Sequence, residues 1–158
     1  MKNKTNAMRL LDAAKIEYEA KEYEYDESDL SGIHIADSIG LPRERVFKTL
    51  TAIGDKTGYA VFVIPCAMEL DLKKCAVVSG NKRVELIAVK ELLSVTGYIR
   101  GGCSPIGMKK HFPTYFDETA VLFDKITVSA GVRGCQLLVS SSEIVEFTRA
   151  TLADLTAV

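Results

Sequence analysis

Two runs rich in branched and aromatic residues, 46–53 and 58–64, stand on either side of Gly54-Asp55-Lys56-Thr57. Branched and aromatic side chains suit a pleated, half-buried surface and the tetrapeptide suits a turn, so the pair predicts a β-hairpin. An isolated hairpin is marginal in water, so the rest of the chain must cover it. A chain of 158 residues, 47% hydrophobic against 26% charged, has the balance of one ordinary folded domain. At that length roughly 70% of the unfolded surface is buried on folding, with no disulfide or metal required.

The remaining elements are short. Thr5 or Asn6 caps a helix with Ala7, Met8, Leu11 and Ala14 at helical spacing, and Ile16, Tyr18 and Ala20 then alternate with Glu17, Glu19 and Lys21 as in a strand. A polar stretch, 26–31, leads to a second helix carrying Ile33, Ala36 and Ile39, which Gly40 closes and Pro42 keeps from continuing. Residues 69–79 read as a helix ending at Gly80, 84–89 as a strand, and 90–95 as a helix stopped by Gly97. After the loop 100–107 come short strands around 114–116 and 126–130, a turn at 131–134 and a strand at 136–140. A last helix opens on the capping box of Ser140 and Glu143. No repeat, low-complexity tract or linker divides residues 1–158, which read as one domain. Many short strands among short helices predict a mixed α/β sheet, curled or closed into a barrel, with helices packed outside.

Twenty basic residues against twenty-one acidic give a net charge of −1, which excludes whole-molecule attraction to nucleic acid. Any such contact is a local patch. Lys109, Lys110 and His111 with Arg100, and separately Lys73, Lys74, Lys82 and Arg83, are the basic clusters, and solvated surface is the ordinary reading of such runs. Asp12 interrupts the N-terminal apolar stretch, which excludes a signal peptide. The longest uncharged apolar run, 59–68, contains Pro65 and is about half of the roughly 20 residues that cross a bilayer. Cys66, Cys75, Cys103 and Cys135 form no Cys-x-x-Cys and have no nearby histidine pair, so neither a zinc site nor a redox pair is written. Free thiols in a reducing cytoplasm are the simplest reading.

Within Val46-Phe47-Lys48-Thr49-Leu50, alternation puts Lys48 on the more apolar face, with Val46, Leu50 and Ala52. Two readings stand: a strand-end lysine that snorkels to water, or a desolvated ammonium reserved for an anion or carbonyl. Gly101-Gly102-Cys103-Ser104-Pro105-Ile106-Gly107 is an anion or oxyanion cradle or an ordinary glycine-rich connection; it has neither Walker nor dinucleotide spacing. Ser129-Ala130-Gly131-Val132-Arg133-Gly134 is a second glycine turn at a strand end. Cys103 invites a thiol-nucleophile reading with His34 or His111 as base, but neither histidine has a motif context, and a small packing residue is the better account.

These words, with Lys4-Thr5-Asn6-Ala7, Phe62-Val63-Ile64-Pro65, Glu69-Leu70-Asp71-Leu72-Lys73-Lys74, Thr96-Gly97-Tyr98 and Met108-Lys109-Lys110, occur in one order. Together they resemble the YbaK family of freestanding aminoacyl-tRNA editing proteins, in its Cys-tRNA(Pro) deacylase branch, over nearly the whole chain. The resemblance implies a twisted, barrel-like, mostly antiparallel sheet flanked by short helices, an aminoacyl-tRNA deacylase without a cofactor or metal, and a cytoplasmic protein. Its partners would be the acceptor end of a misacylated tRNA and, in a transient complex, prolyl-tRNA synthetase. The implied chemistry is assisted by the substrate: the thiol of the misattached cysteine attacks its own ester. By match, Lys48 and Gly101 carry the chemistry, while Tyr23, Thr49, Gly102, Ser104, Pro105, Ser129 and Gly131 line the pocket, with Gly101 and Gly102 N–H groups offered to the carbonyl oxygen. An aspartate that some relatives carry after the second glycine turn is absent here, where Cys135, Gln136 and Leu137 stand. Competing readings are deacylation of another tRNA such as Ala-tRNA(Pro), a non-catalytic tRNA or synthetase adaptor, and a thiol hydrolase using Cys103.

Overall fold

The computed structural model describes residues 3–157. The first helix, α1 (Asn6–Ala13), begins where the Thr5 hydroxyl accepts from the Met8 N–H at 3.2 Å, and it turns Ala7, Met8 and Leu11 into the core. Helix α2 (Gly32–Ile39) starts from Ser31 and stops at Gly40. In α3 (Leu72–Ser79) the Asp71 carboxylate accepts from the Lys73 and Lys74 N–H groups, so the helix begins later than the apolar spacing suggests. Helix α4 (Val89–Thr96) ends at Gly97, whose φ of 88° is a left-handed conformation that branched residues resist. Finally α5 (Ser141–Phe147) is capped by Ser140, which accepts from the Glu143 N–H at 3.3 Å.

The strands are β1 (Tyr18–Glu22), β2 (Phe47–Gly54), β3 (Gly58–Pro65), β4 (Val84–Leu86), β5 (Thr114–Asp117), β6 (Lys125–Ser129), β7 (Cys135–Ser140) and β8 (Thr151–Ala153). The expected hairpin forms with Phe47 opposite Pro65 and Gly54 opposite Gly58. The mixed α/β class stands, but the strands divide between two sheets: an antiparallel one, β1-β7-β6, and a mixed one, β4-β2-β3-β5-β8. An isolated bridge from Val46 to Thr127 links them, so the curl does not close into one barrel. Within the larger sheet β3·β5 and β5·β8 are parallel.

Strand β3 is buried on both faces, which is why its sequence is almost continuously apolar. Val61 and Val63 join a core with Leu11, Phe116, Ile126 and Leu137, while Ala60, Phe62 and Ile64 join a second with Ala52, Cys75 and Leu155. Truncating a side chain as fully buried as Leu11 or Phe116 costs about 2–5 kcal/mol. That rigidity fixes β2, which carries the site.

Candidate functional site

Just before β2 the Val46 carbonyl accepts from the Cys66 N–H at 2.7 Å, and within β2 the Thr51 carbonyl accepts from the Ile87 N–H at 3.1 Å. Successive residues of an antiparallel strand turn their backbone groups to alternate sides. The even-numbered residues therefore pair with β3, and Thr49 directs its N–H and C=O to the opposite edge. Strand β4 covers that edge only opposite Ala52, Ile53 and Gly54, and Val46 meets β6 at its other end. Between these two supports the edge is open, and a cavity of about 390 Å³ lies against it.

The floor of the cavity is polar and closed, with Thr51, Ser129 and Gln136 all buried. Its mouth is apolar, formed by Ile33 of α2, Leu86 at the end of β4 and Val89 at the start of α4. Two cations, Lys48 and Arg100, contribute to the lining; among the described residues no carboxylate and no imidazole does. Such a cavity favours an anionic or strongly polarised ligand and offers no side-chain general base.

Lys48 shares a face of β2 with Leu50 and Ala52, opposite Ile64, as the alternation predicts. It is half-buried, and among the described residues its ammonium forms no ion pair or hydrogen bond. Its charge acts on Cys66, where it opposes the rise that burial imposes on that thiol. The hydroxyls of Thr49 and Thr51 are buried; that of Thr49 has no hydrogen-bond partner among the described residues, and that of Thr51 has only the Cys103 thiol beside it. Cys103 lies against Thr51 and Thr96, and burial pushes its thiol up to about 11 against the opposing hydrogen bonds from those hydroxyls.

Gly101 lines the cavity at φ 86°, and its N–H has no partner among the described residues. Gly102 differs: its N–H is taken by the Ile99 carbonyl at 2.9 Å, so it is not a donor for a ligand. It serves closeness instead, packing on the backbone of Val132 and Arg133. Ser104 is wholly buried, and its hydroxyl accepts from the Ile106 N–H, pinning the loop. Pro105 and Gly131 also lie outside the cavity lining, and Gly131 gives its N–H to the Ser129 hydroxyl. The Tyr98 hydroxyl donates to the Ile106 carbonyl while its ring meets Gly131, so one side chain ties the two glycine turns together.

Tyr23 stands in an adjoining surface hollow with Tyr25 and Arg133. Burial raises its phenol, opposed by hydrogen bonds with the Gly134 backbone and the Gln136 side chain. Gln136 in turn accepts from the Thr127 hydroxyl at 3.2 Å, so Tyr23 reaches the cavity floor through it. The structure thus gathers Lys48, Thr49, Gly101 and Ser129, and adds Thr51, Gln136 and Arg100, which the sequence did not mark as site residues. A glutamine inside an otherwise apolar strand was the available signal for Gln136. His34 and His111 lie elsewhere: the first, on α2, stands 4.0 Å from the Asp29 carboxylate, and the second bonds the Thr148 carbonyl. Among the described residues no cluster of histidine, cysteine and carboxylate could hold a metal, and no helix is long and apolar enough to cross a membrane.

A cationic, carboxylate-free cavity on the open edge of a hairpin, closed by two glycine turns, accords with what the sequence matches: the aminoacyl-tRNA editing domain over residues 33–147. The chain belongs to that family. It is 50% identical over 153 residues, 97% of this chain and 93% of the relative, to EbsC of Enterococcus faecalis, whose name proposes a Cys-tRNA(Pro)/Cys-tRNA(Cys) deacylase. Among solved structures, a protein proposed as a trans-editing enzyme for prolyl-tRNA synthetase superposes with a TM-score of 0.81 at 21% identity, covering 99% of this chain and 100% of its own. A hypothetical protein, APE2540, gives 0.85 at 22% identity over 94% of this chain and 97% of its own. These two likenesses establish the fold.

Proposed function

We propose that this protein is a trans-editing deacylase that hydrolyses the ester of Cys-tRNA, with Cys-tRNA(Pro) as its principal substrate. The observation that carries the reading is the composition of the cavity: among the described residues, Lys48 and Arg100 line it without any carboxylate or imidazole, beside a Gly101 N–H that has no partner. A site with cations and donors but no base suits a substrate that brings its own nucleophile. The relative at 50% identity, named for Cys-tRNA deacylation, supports the same substrate. An apolar pocket discriminates weakly between isosteres, so a synthetase for proline needs such clearance of cysteine.

In this mechanism the cysteine thiol gives its proton to solvent, and the thiolate forms a bond to its own carbonyl carbon. The bond from that carbon to the ribose oxygen breaks, the oxygen takes a proton from solvent, and a strained cyclic thioester leaves, later opened by water. Gly101 N–H stabilises the carbonyl oxygen as it gains charge, and Lys48 holds the ester end or the terminal phosphate. Thr49 and Ser129 orient the aminoacyl group. The protein acts in the cytoplasm as one domain, and a transient complex with prolyl-tRNA synthetase would deliver the mischarged tRNA.

The test is incubation of the purified protein with Cys-, Ala- and Pro-charged tRNA(Pro) side by side. Preferential loss of the cysteinyl ester is expected. Preferential loss of the alanyl ester moves the substrate, and no turnover of any of the three overturns the enzyme reading in favour of an adaptor.

A further inference from the structure

We infer that the apolar mouth of the cavity is the seat of the terminal adenine base of the tRNA, held between Ile33 on one side and Leu86 and Val89 on the other. The inference rests on the deacylase reading and names a part of the substrate that reading leaves unplaced.

Ile33, Leu86 and Val89 are 36%, 49% and 63% exposed, although all three line the cavity. They come from three separate elements, α2, β4 and α4, so their meeting at one opening is a product of the fold. Apolar side chains gathered at the entrance to a cavity mark a binding surface more often than scattered ones do. The floor is sealed and polar, with Thr51, Ser129 and Gln136 at 4%, 6% and 3% exposure. An aminoacyl ester therefore enters with its polar aminoacyl end inward. Covalent geometry then leaves little choice: the ester oxygen belongs to the terminal ribose, and the base hangs from that same sugar. Whatever lines the mouth touches the nucleoside.

The nucleoside has an apolar face on the base and a charge on the 5′ phosphate, and the mouth divides in the same way. Val89 and Leu86 offer aliphatic surface to the base, whose π-face is apolar whatever its identity. Arg100, exposed at the edge of the lining, offers its guanidinium to the phosphate. Among the described residues no carboxylate lines the cavity to oppose that phosphate.

The experiment compares two cysteinyl acceptor-stem minihelices, one ending in adenosine and one ending in an abasic ribose, with the wild-type protein and with Leu86→Ser/Val89→Ser. Removing the base should raise KM for the wild type about tenfold with kcat little changed, and should have little further effect in the variant. Base removal that costs nothing in the wild type, or costs the same in both proteins, overturns the inference. Val89→Asn alone, at the exposed first residue of α4, gives the same comparison if the double variant melts early. A wild-type protein that hydrolyses neither minihelix fails differently, because it overturns the deacylase reading itself.

Discussion

Gly102 lies directly against the backbone of Val132, so that a Cβ at Gly102 would stand 3.1 Å from the Val132 carbonyl carbon. The two glycine turns of this fold are thus held in contact by the absence of a side chain. Gly102→Ala should push the turns apart by a few tenths of an ångström and carry Gly101 with it. Deacylation kcat should fall about tenfold or more through misplacement of the donor, with a melting temperature only modestly lower. Wild-type kcat in a folded Gly102→Ala protein would show that the spacing of the turns does not govern the donor.

Lys48→Ala should lower deacylation by about a hundredfold to a thousandfold while the protein stays folded. Truncation removes an unpaired charge from the apolar face shared with Leu50 and Ala52, so thermal melting should hold or rise. Turnover near that of the wild type would remove Lys48 from the mechanism.

Much of this was legible in the sequence, and the limits of legibility are physical. Caps and stops are local chemistry, so Thr5, Ser140, Gly40, Gly80 and Gly97 announced the helix ends. The hairpin was equally local. The parallel pairings of β5 with β3 and β8 were not, since they join short segments with no turn between them, and β8 has only three residues. Lys48 stood out because a cation broke an apolar alternation. Thr51, Gln136 and Val89 are ordinary residues for a strand or helix, and only long-range packing brings them to one cavity. Gly102 and Ser104 belong to the right motif, yet their polar groups are spent within the loop itself.

Thr49→Val should stabilise the protein by about 1 kcal/mol, because it replaces a buried hydroxyl without a partner among the described residues by a methyl of similar shape. Urea unfolding reads the change directly. A loss of similar size would mean that the hydroxyl has a partner in solution.

The Cys103 thiol, raised by burial to about 11, should resist iodoacetamide at neutral pH and be alkylated only as the pH nears 11. Cys75 is raised further, to about 12. Because these thiols ionise earlier in the unfolded chain, their contribution to stability is complete below pH 9 and is lost as the pH climbs through 11 to 12. Cys103→Ser should retain deacylation. Rapid alkylation at pH 7 accompanied by loss of activity would restore Cys103 as a nucleophile.

The most direct test concerns where the nucleophile resides. Serine differs from cysteine by oxygen for sulfur, and the cavity meets almost the same shape in both. A thiol with a reference pKa near 8.5 is a few per cent thiolate at pH 7, whereas a hydroxyl is essentially never ionised there. Initial deacylation rates of Cys-tRNA(Pro) and Ser-tRNA(Pro), measured with the same protein at pH 7, should differ by roughly a hundredfold or more in favour of cysteine. Equal rates would contradict attack by the substrate's own thiol and require a nucleophile supplied by the protein or by water.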